Sequence, residues 1–220
     1  MEVVLCVFAY FVGLVVAQTP EICRAPTVFE AKEQRVDFAR HMEVGSTIGQ
    51  DADNERFYRK ETSVVSNLTV TLDLYHEIWS YREHALYRIN MRTGECMRMG
   101  IVTSFEPIGI PLDARFVGYR HIGSSGIRNS NILTTNWVGE NTEKKYRYDL
   151  VFTDASLGSS ACLPVRVTRF YDDDRSLEQA SLFDVTAGIS DPTVFTPPDH
   201  CPPPPPLPPP TKQSSLFETL

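Results

Sequence analysis

The sequence predicts an all-β domain, and three observations carry the prediction. Leu68, Val70, Leu72 and Leu74 alternate with Thr69, Thr71, Asp73 and Tyr75, and Tyr146, Tyr148, Leu150 and Phe152 alternate with Lys145, Arg147, Asp149 and Val151. A period of two places each set on one face of a strand. Segments 36–44, 56–66, 84–91, 96–104 and 164–171 are rich in β-branched and aromatic residues, which suit a pleated, half-buried surface. Turn-forming stretches separate these runs. Met91-Arg92-Thr93-Gly94-Glu95 reads as a hairpin turn ahead of Cys96, and Pro107 to Pro111 and Gly123 to Gly126 read as loops. Residues 173–182 read as a short helix at most.

The two ends differ from this body. Val3 to Val16 is an almost unbroken apolar run, too short to span a bilayer comfortably, followed by Ala17-Gln18-Thr19-Pro20. Small residues ahead of a polar stretch suit cleavage of a secretory leader, so 1–17 is read as a signal peptide, with a buried first strand or helix as the alternative. No other apolar run is long enough for a transmembrane anchor. At the far end, Cys201 is followed by a proline tract to Pro210. Proline has a fixed φ and no amide donor, so this tract is extended polyproline II. Residues 202–220 are read as a proline-rich, disordered tail, and 18–201 as the domain.

Composition narrows the function. The chain has 220 residues, 42% hydrophobic and 22% charged, enough for one domain with a core. Its net charge of −7 argues against nucleic acid as a partner. A secreted chain meets an oxidising compartment, and Cys23, Cys96, Cys162 and Cys201 remain after a leader containing Cys6 is removed. Spacing leaves all three pairings open. Asn67-Leu68-Thr69 is a glycosylation sequon.

Catalytic chemistry finds little purchase. His76-Glu77-Ile78-Trp79-Ser80 lacks the second histidine of a zinc-protease helix, and Gly123-Ser124-Ser125-Gly126 lacks the spacing of a nucleophile elbow. No catalytic residue, organic cofactor or definite metal ligand is assigned. Calcium is the one ion left open. Asp51, Asp53 and Glu55 stand at alternate positions, but Arg56 replaces the loop glycine and Thr62 the final glutamate of an EF-hand. The run Asp172-Asp173-Asp174 is a second candidate for calcium, or a solvated turn.

The C-terminal third is the most distinctive part. Residues 181–201, with Phe183-Asp184-Val185, Gly188-Ile189, Asp191-Pro192, Phe195, Pro197-Pro198 and Cys201, resemble the end of ependymin-family proteins, and of the ependymin-related proteins most of all. Cys23-Arg24-Ala25-Pro26, Tyr87-Arg88-Ile89-Asn90 and Ala161-Cys162-Leu163-Pro164-Val165 agree in order. The resemblance implies a secreted glycoprotein whose fold is two stacked curved antiparallel sheets around an apolar pocket, similar to bacterial lipoprotein carriers. It implies the disulfides Cys23–Cys162 and Cys96–Cys201, a homodimer, and a lipid or fatty acyl ligand. The alternative it carries is a calcium-responsive extracellular matrix or cell-adhesion protein. Leu68, Val70, Leu72, Leu74, Tyr146, Tyr148, Leu150 and Phe152 are the candidates for the pocket wall, since alternation does not separate a filled core from a lined cavity.

Overall fold

The computed structural model describes residues 20–154, 161–173 and 176–202. Residues 1–17, read as a signal peptide, Asp174 of the acidic run and residues 203–220 of the segment read as a tail lie outside the described residues. The described residues form twelve antiparallel strands: β1 (Val28–Asp37), β2 (Met42–Asp51), β3 (Arg56–Ser66), β4 (Thr69–Thr71), β5 (Tyr75–Ser80), β6 (Ala85–Asn90), β7 (Cys96–Gly100), β8 (Arg115–Gly123), β9 (Asn131–Asn141), β10 (Tyr146–Thr153), β11 (Pro164–Tyr171) and β12 (Leu177–Ala187). They form one hydrogen-bonded sheet in the order β7-β6-β5-β3-β2-β1-β12-β11-β10-β9-β8, with β4 attached to β3 alone. Among the described residues no helix is long and apolar enough to cross a membrane.

The sheet must curl. β7 and β8 are its opposite edges, yet the chain joins them through residues 101–114. At about 4.8 Å per strand spacing the path is roughly 48 Å wide when flat, and about 15 fully extended residue steps reach only some 50 Å. The link is not extended. It turns at Pro111–Ala114, where the Ala114 amide donates to the Pro111 carbonyl, and it stops midway to pair with the N-terminal segment. There the Ala25 amide donates to Ile108 and the Ile110 amide to Cys23, each at 3.1 Å, around the bridge Arg24–Gly109.

This crossing link roofs one face of the sheet. Beneath it Phe29, Ile48, Phe57, Trp79, Leu86 and Leu182 pack with Ile101 and Ile108, while Trp137, Leu150, Phe152 and Val167 pack with Ile110. Gln50 anchors it from the sheet, accepting from the Ile108 amide at 2.7 Å and donating to the Pro26 carbonyl at 3.3 Å. The Cys23–Cys162 disulfide, with Cα atoms 5.9 Å apart, ties the N-terminal segment to the residues just before β11. On the opposite face Ile78, Ala85, Tyr87 and Ile89 lie under the C-terminal segment, which Cys96–Cys201 fastens to β7.

Several expectations change. Leu68, Val70 and Leu72 are not core or pocket wall: they are 98%, 64% and 78% exposed. The chain turns sharply at Asn67 (φ 47°) and Leu68 (φ 65°), and β4 is only three residues long, paired on one side. Alternation there has two faces, but among the described residues no second layer covers Leu68, Val70 or Leu72. Leu74 is half-buried in the link to β5. The run 36–44 is broken by a turn, where Asp37 accepts from the Arg40 amide at 3.0 Å and His41 takes φ 48°. The run 96–104 ends as a strand at Gly100. From Leu177 the segment read as a helix is β12, a central strand between β1 and β11, with Ala180 and Leu182 buried two residues apart.

Candidate ligand cleft

β10 brings the second set of candidates together. Its register with β11 sets Leu150 opposite Val167, Tyr148 opposite Arg169 and Tyr146 opposite Tyr171. These pairs, with Phe152, line one cleft of about 480 Å³ whose other wall is Tyr81 and the crossing link from Thr103 to Asp113. Tyr146, Tyr148, Leu150 and Phe152 all face it, while Leu68, Val70, Leu72 and Leu74 do not line it. Val167, Arg169 and Tyr171 escaped the sequence reading although β11 shows the same period of two. The crossing link escaped because its placement depends on pairing with a segment some 80 residues away, as in Arg24–Gly109.

The wall is aromatic at one end and aliphatic at the other. Tyr146 meets Tyr171 edge-on at 5.6 Å and Tyr148 at 6.4 Å, geometries that add to the stabilisation from burial. The Tyr148 hydroxyl donates to Asp113 at 3.4 Å, and burial followed by the Asp113 charge pushes its pKa up to about 12. Tyr148 therefore stays a neutral donor at the cleft wall. Its position requires Gly139 on the neighbouring strand, because a β-carbon there would overlap the hydroxyl. Charged side chains join the lining from Arg24, Glu106, Asp113, Glu140, Glu143, Lys144 and Arg169. Lys144 lies 3.9 Å from Glu106, linking the β9–β10 turn to the crossing link across the mouth.

The acidic stretches have other partners. The Asp51 carboxylate accepts from the Asn54 amide, the Asn54 side chain and Arg56 Nε at 3.1, 2.8 and 2.8 Å. Burial alone would raise its pKa, but these bonds from Asn54 and Arg56 hold it below the usual carboxylate range. Asp172 pairs with Arg147 and Asp173 with Lys145, both at 3.1 Å. Among the described residues no cluster of three or more His, Cys, Asp or Glu is arranged to hold a metal.

Asn67 stands exposed at the β3–β4 turn, in the left-handed conformation that asparagine tolerates better than most residues. A glycan there would lie beside exposed Leu68, Val70 and Leu72. Thr69→Ala destroys the sequon without straining the turn. Secreted from a glycosylating host, it should lose one glycan mass, keep its stability within about 0.5 kcal/mol, and aggregate sooner than the unmutated protein. An unchanged mass would show that Asn67 is not modified.

The family model described as Ependymin matches residues 70–201. Mammalian ependymin-related protein 1 of Mus musculus is 27% identical over 184 residues, covering 83% of this chain and 77% of that protein. Ependymin-2 of Carassius auratus is 25% identical over 179 residues, covering 81% and 79%. Among solved structures, an uncharacterized conserved protein from Thermus thermophilus superposes on 80% of this chain and 88% of its own, with a TM-score of 0.47 and 11% identity.

Proposed function

Since the chain belongs to the ependymin family, we propose that it is a secreted, non-enzymatic ependymin-related glycoprotein that holds a lipid or fatty acyl ligand in the cleft. The observation that carries this reading is the wall of Tyr146, Tyr148, Leu150, Phe152 and Val167, facing about 480 Å³ of space. That volume falls within the roughly 300–1,000 Å³ of small-molecule sites. The β10 row suits the chain, and Arg24 and Arg169, set in a lining that also carries Glu106, Asp113, Glu140 and Glu143, are the candidates for a carboxylate or phosphate head. In this reading the two halves of the curled sheet face one another as stacked sheets do in bacterial lipoprotein carriers, and two copies associate as a homodimer. The alternative is a calcium-responsive matrix or adhesion protein.

Protein from a eukaryotic secretory host should release lipid on organic extraction, detected by mass spectrometry, and should take up a fluorescent fatty acid. Leu150→Trp fills the wall. If the space is a ligand site, uptake should fall at least about tenfold with little change in melting temperature. In a filled core the same change costs roughly 1–3 kcal/mol through overpacking. Unmutated protein that carries no lipid and takes up none would overturn the proposal. Calcium-dependent dimerisation or collagen binding without lipid would then favour the alternative.

A further inference from the structure

The proline tract begins at Cys201, where the match to the family ends. That starting point is fixed in space. Cys201 is bonded to Cys96 on β7 with Cα atoms 5.1 Å apart, its amide donates to the Pro198 carbonyl at 3.0 Å, and His200 Nε2 lies 2.8 Å from the Gly94 carbonyl. β7 is one edge of the sheet, and among the described residues no strand lies beyond it. A chain leaving Cys201 on the outer face therefore has an open route round that edge to the face that bears the cleft.

The tract has the length for that route. Thr103, the first residue of the crossing link in the cleft lining, is at most about 30 Å from Cys201, counting the disulfide, the steps along β7 and the steps beyond it. Polyproline II from Pro202 to Pro210 rises about 28 Å and resists coiling back on itself. Thr211 to Ser215 add at most roughly 17 Å of ordinary chain, enough to carry the next residues past the mouth. Those residues are Leu216 and Phe217, an adjacent pair of large apolar side chains, with Lys212 ahead of them and Glu218 behind. The cleft has a counterpart for each: Leu150, Phe152 and Val167 for the pair, Glu106 for the lysine and Arg169 for the glutamate. Tyrosines in the lining, Tyr81 among them, give the tract an aromatic wall of the kind polyproline segments dock on.

We propose that the tail is the cleft's own occupant: the proline tract rounds the β7 edge of the same chain, and Leu216 and Phe217 seat between β10–β11 and the crossing link. Tethering makes a weak contact sufficient. A short linker holds such a segment at roughly millimolar effective concentration, so a seat with an affinity of about 0.1 mM is filled about nine-tenths of the time. Any ligand of the cleft must then displace the tail, which lowers the ligand's apparent affinity and shields the apolar row from water until the ligand arrives. The inference goes beyond the lipid reading, because the seat is filled whether or not a lipid competes for it.

The test uses the full secreted chain, with changes only beyond Cys201 so that the domain's own sequence is untouched. A photoreactive benzoylphenylalanine in place of Phe217 is irradiated, and the crosslinked peptides are identified by mass spectrometry. The crosslink should form within one chain, to β10, β11 or the crossing link. No crosslink, a crosslink to another part of the domain, or one found only between two chains would overturn the proposal. The second readout is uptake of a fluorescent fatty acid. Leu216→Ser with Phe217→Ser empties the seat and should raise the apparent affinity about tenfold, by the occupancy above. An affinity unchanged by this double variant would also overturn the proposal. If neither protein takes up fatty acid, the lipid reading fails by itself, and the crosslink alone decides whether the tail fills the cleft.

Discussion

Arg59→Ala should destabilise the protein by about 3–5 kcal/mol, the cost of breaking a buried ion pair by removing one partner. Arg59 on β3 is 3% exposed, between Glu33 on β1 (3%) and Glu77 on β5 (4%). Its Nε donates to Glu33 at 2.9 Å, and its Nη1 lies 3.9 Å from Glu77. Glu33 also accepts from the Ser46 hydroxyl at 2.7 Å and Arg35 at 3.1 Å, while Arg88 lies 3.5 Å from Glu77. The guanidinium further covers the Phe57 and Trp79 rings at 5.6 and 5.4 Å. Without Arg59 two buried carboxylates lose their shared cation, which desolvation makes far costlier than losing a surface pair. The destabilisation should shrink as pH falls from 7 to 5, because Glu77 can then be buried as a neutral acid. Burial already raises the Glu77 pKa against the pull of Arg59 and Arg88. Replacing Glu33, Arg59 and Glu77 together by methionine or leucine should cost much less than Arg59→Ala. Urea unfolding of the three proteins at both pH values decides the matter; an Arg59→Ala loss under about 1 kcal/mol would mean the network is solvated.

The same network explains part of what the sequence conceals. β1 and β2 sit mid-sheet yet bear Lys32, Glu33, Gln34, Gly45 and Gly49, so their burial rests on ion pairing and close backbone approach, not on apolar alternation. Gly49 makes room for the Tyr58 ring, as Gly139 does for Tyr148. β10 was legible because its faces differ: Tyr148, Leu150 and Phe152 are buried while Arg147 is exposed. The 68–74 run has the same pattern and misleads, because period two reports a strand's faces and not whether anything covers them. The all-β class followed from local pattern. The disulfide partners followed from family resemblance, and half of the cleft wall depends on a crossing link that no local pattern announces.

Cys96→Ser with Cys201→Ser should have the other large effect. This disulfide closes a separation of 105 residues, for which chain entropy gives about 4–5 kcal/mol. It also holds the C-terminal segment on the outer face of β3, β5 and β6. Asp191 caps the short turn Pro192–Phe195, accepting from the Thr193 amide at 3.0 Å. Phe195 then sits edge-on to Tyr58 at 5.3 Å, with Arg56 4.2 Å over its ring. Beside Tyr58 lies His76, whose pKa is pushed down to about 4, chiefly by burial and also by Lys60, against a bond with the Val194 backbone. The unfolded chain, with His76 near 6.5, binds a proton that the fold excludes, so this contribution to stability is complete above pH 6.5. It is lost as pH falls toward 4, by about 2 kcal/mol at pH 5. Glu61, Glu77 and Glu178, raised by burial, act in the opposite sense. His76→Phe removes the histidine contribution alone and should flatten the decline between pH 7 and 5. Releasing the segment by the cysteine double substitution exposes His76 to water and should flatten the decline in the same way while lowering stability at both pH values. Denaturant unfolding of the three proteins at pH 7 and pH 5 measures both effects. If the double substitution keeps the full decline, the C-terminal segment stays docked without its disulfide, and Phe195 and the Asp191 cap hold it by themselves.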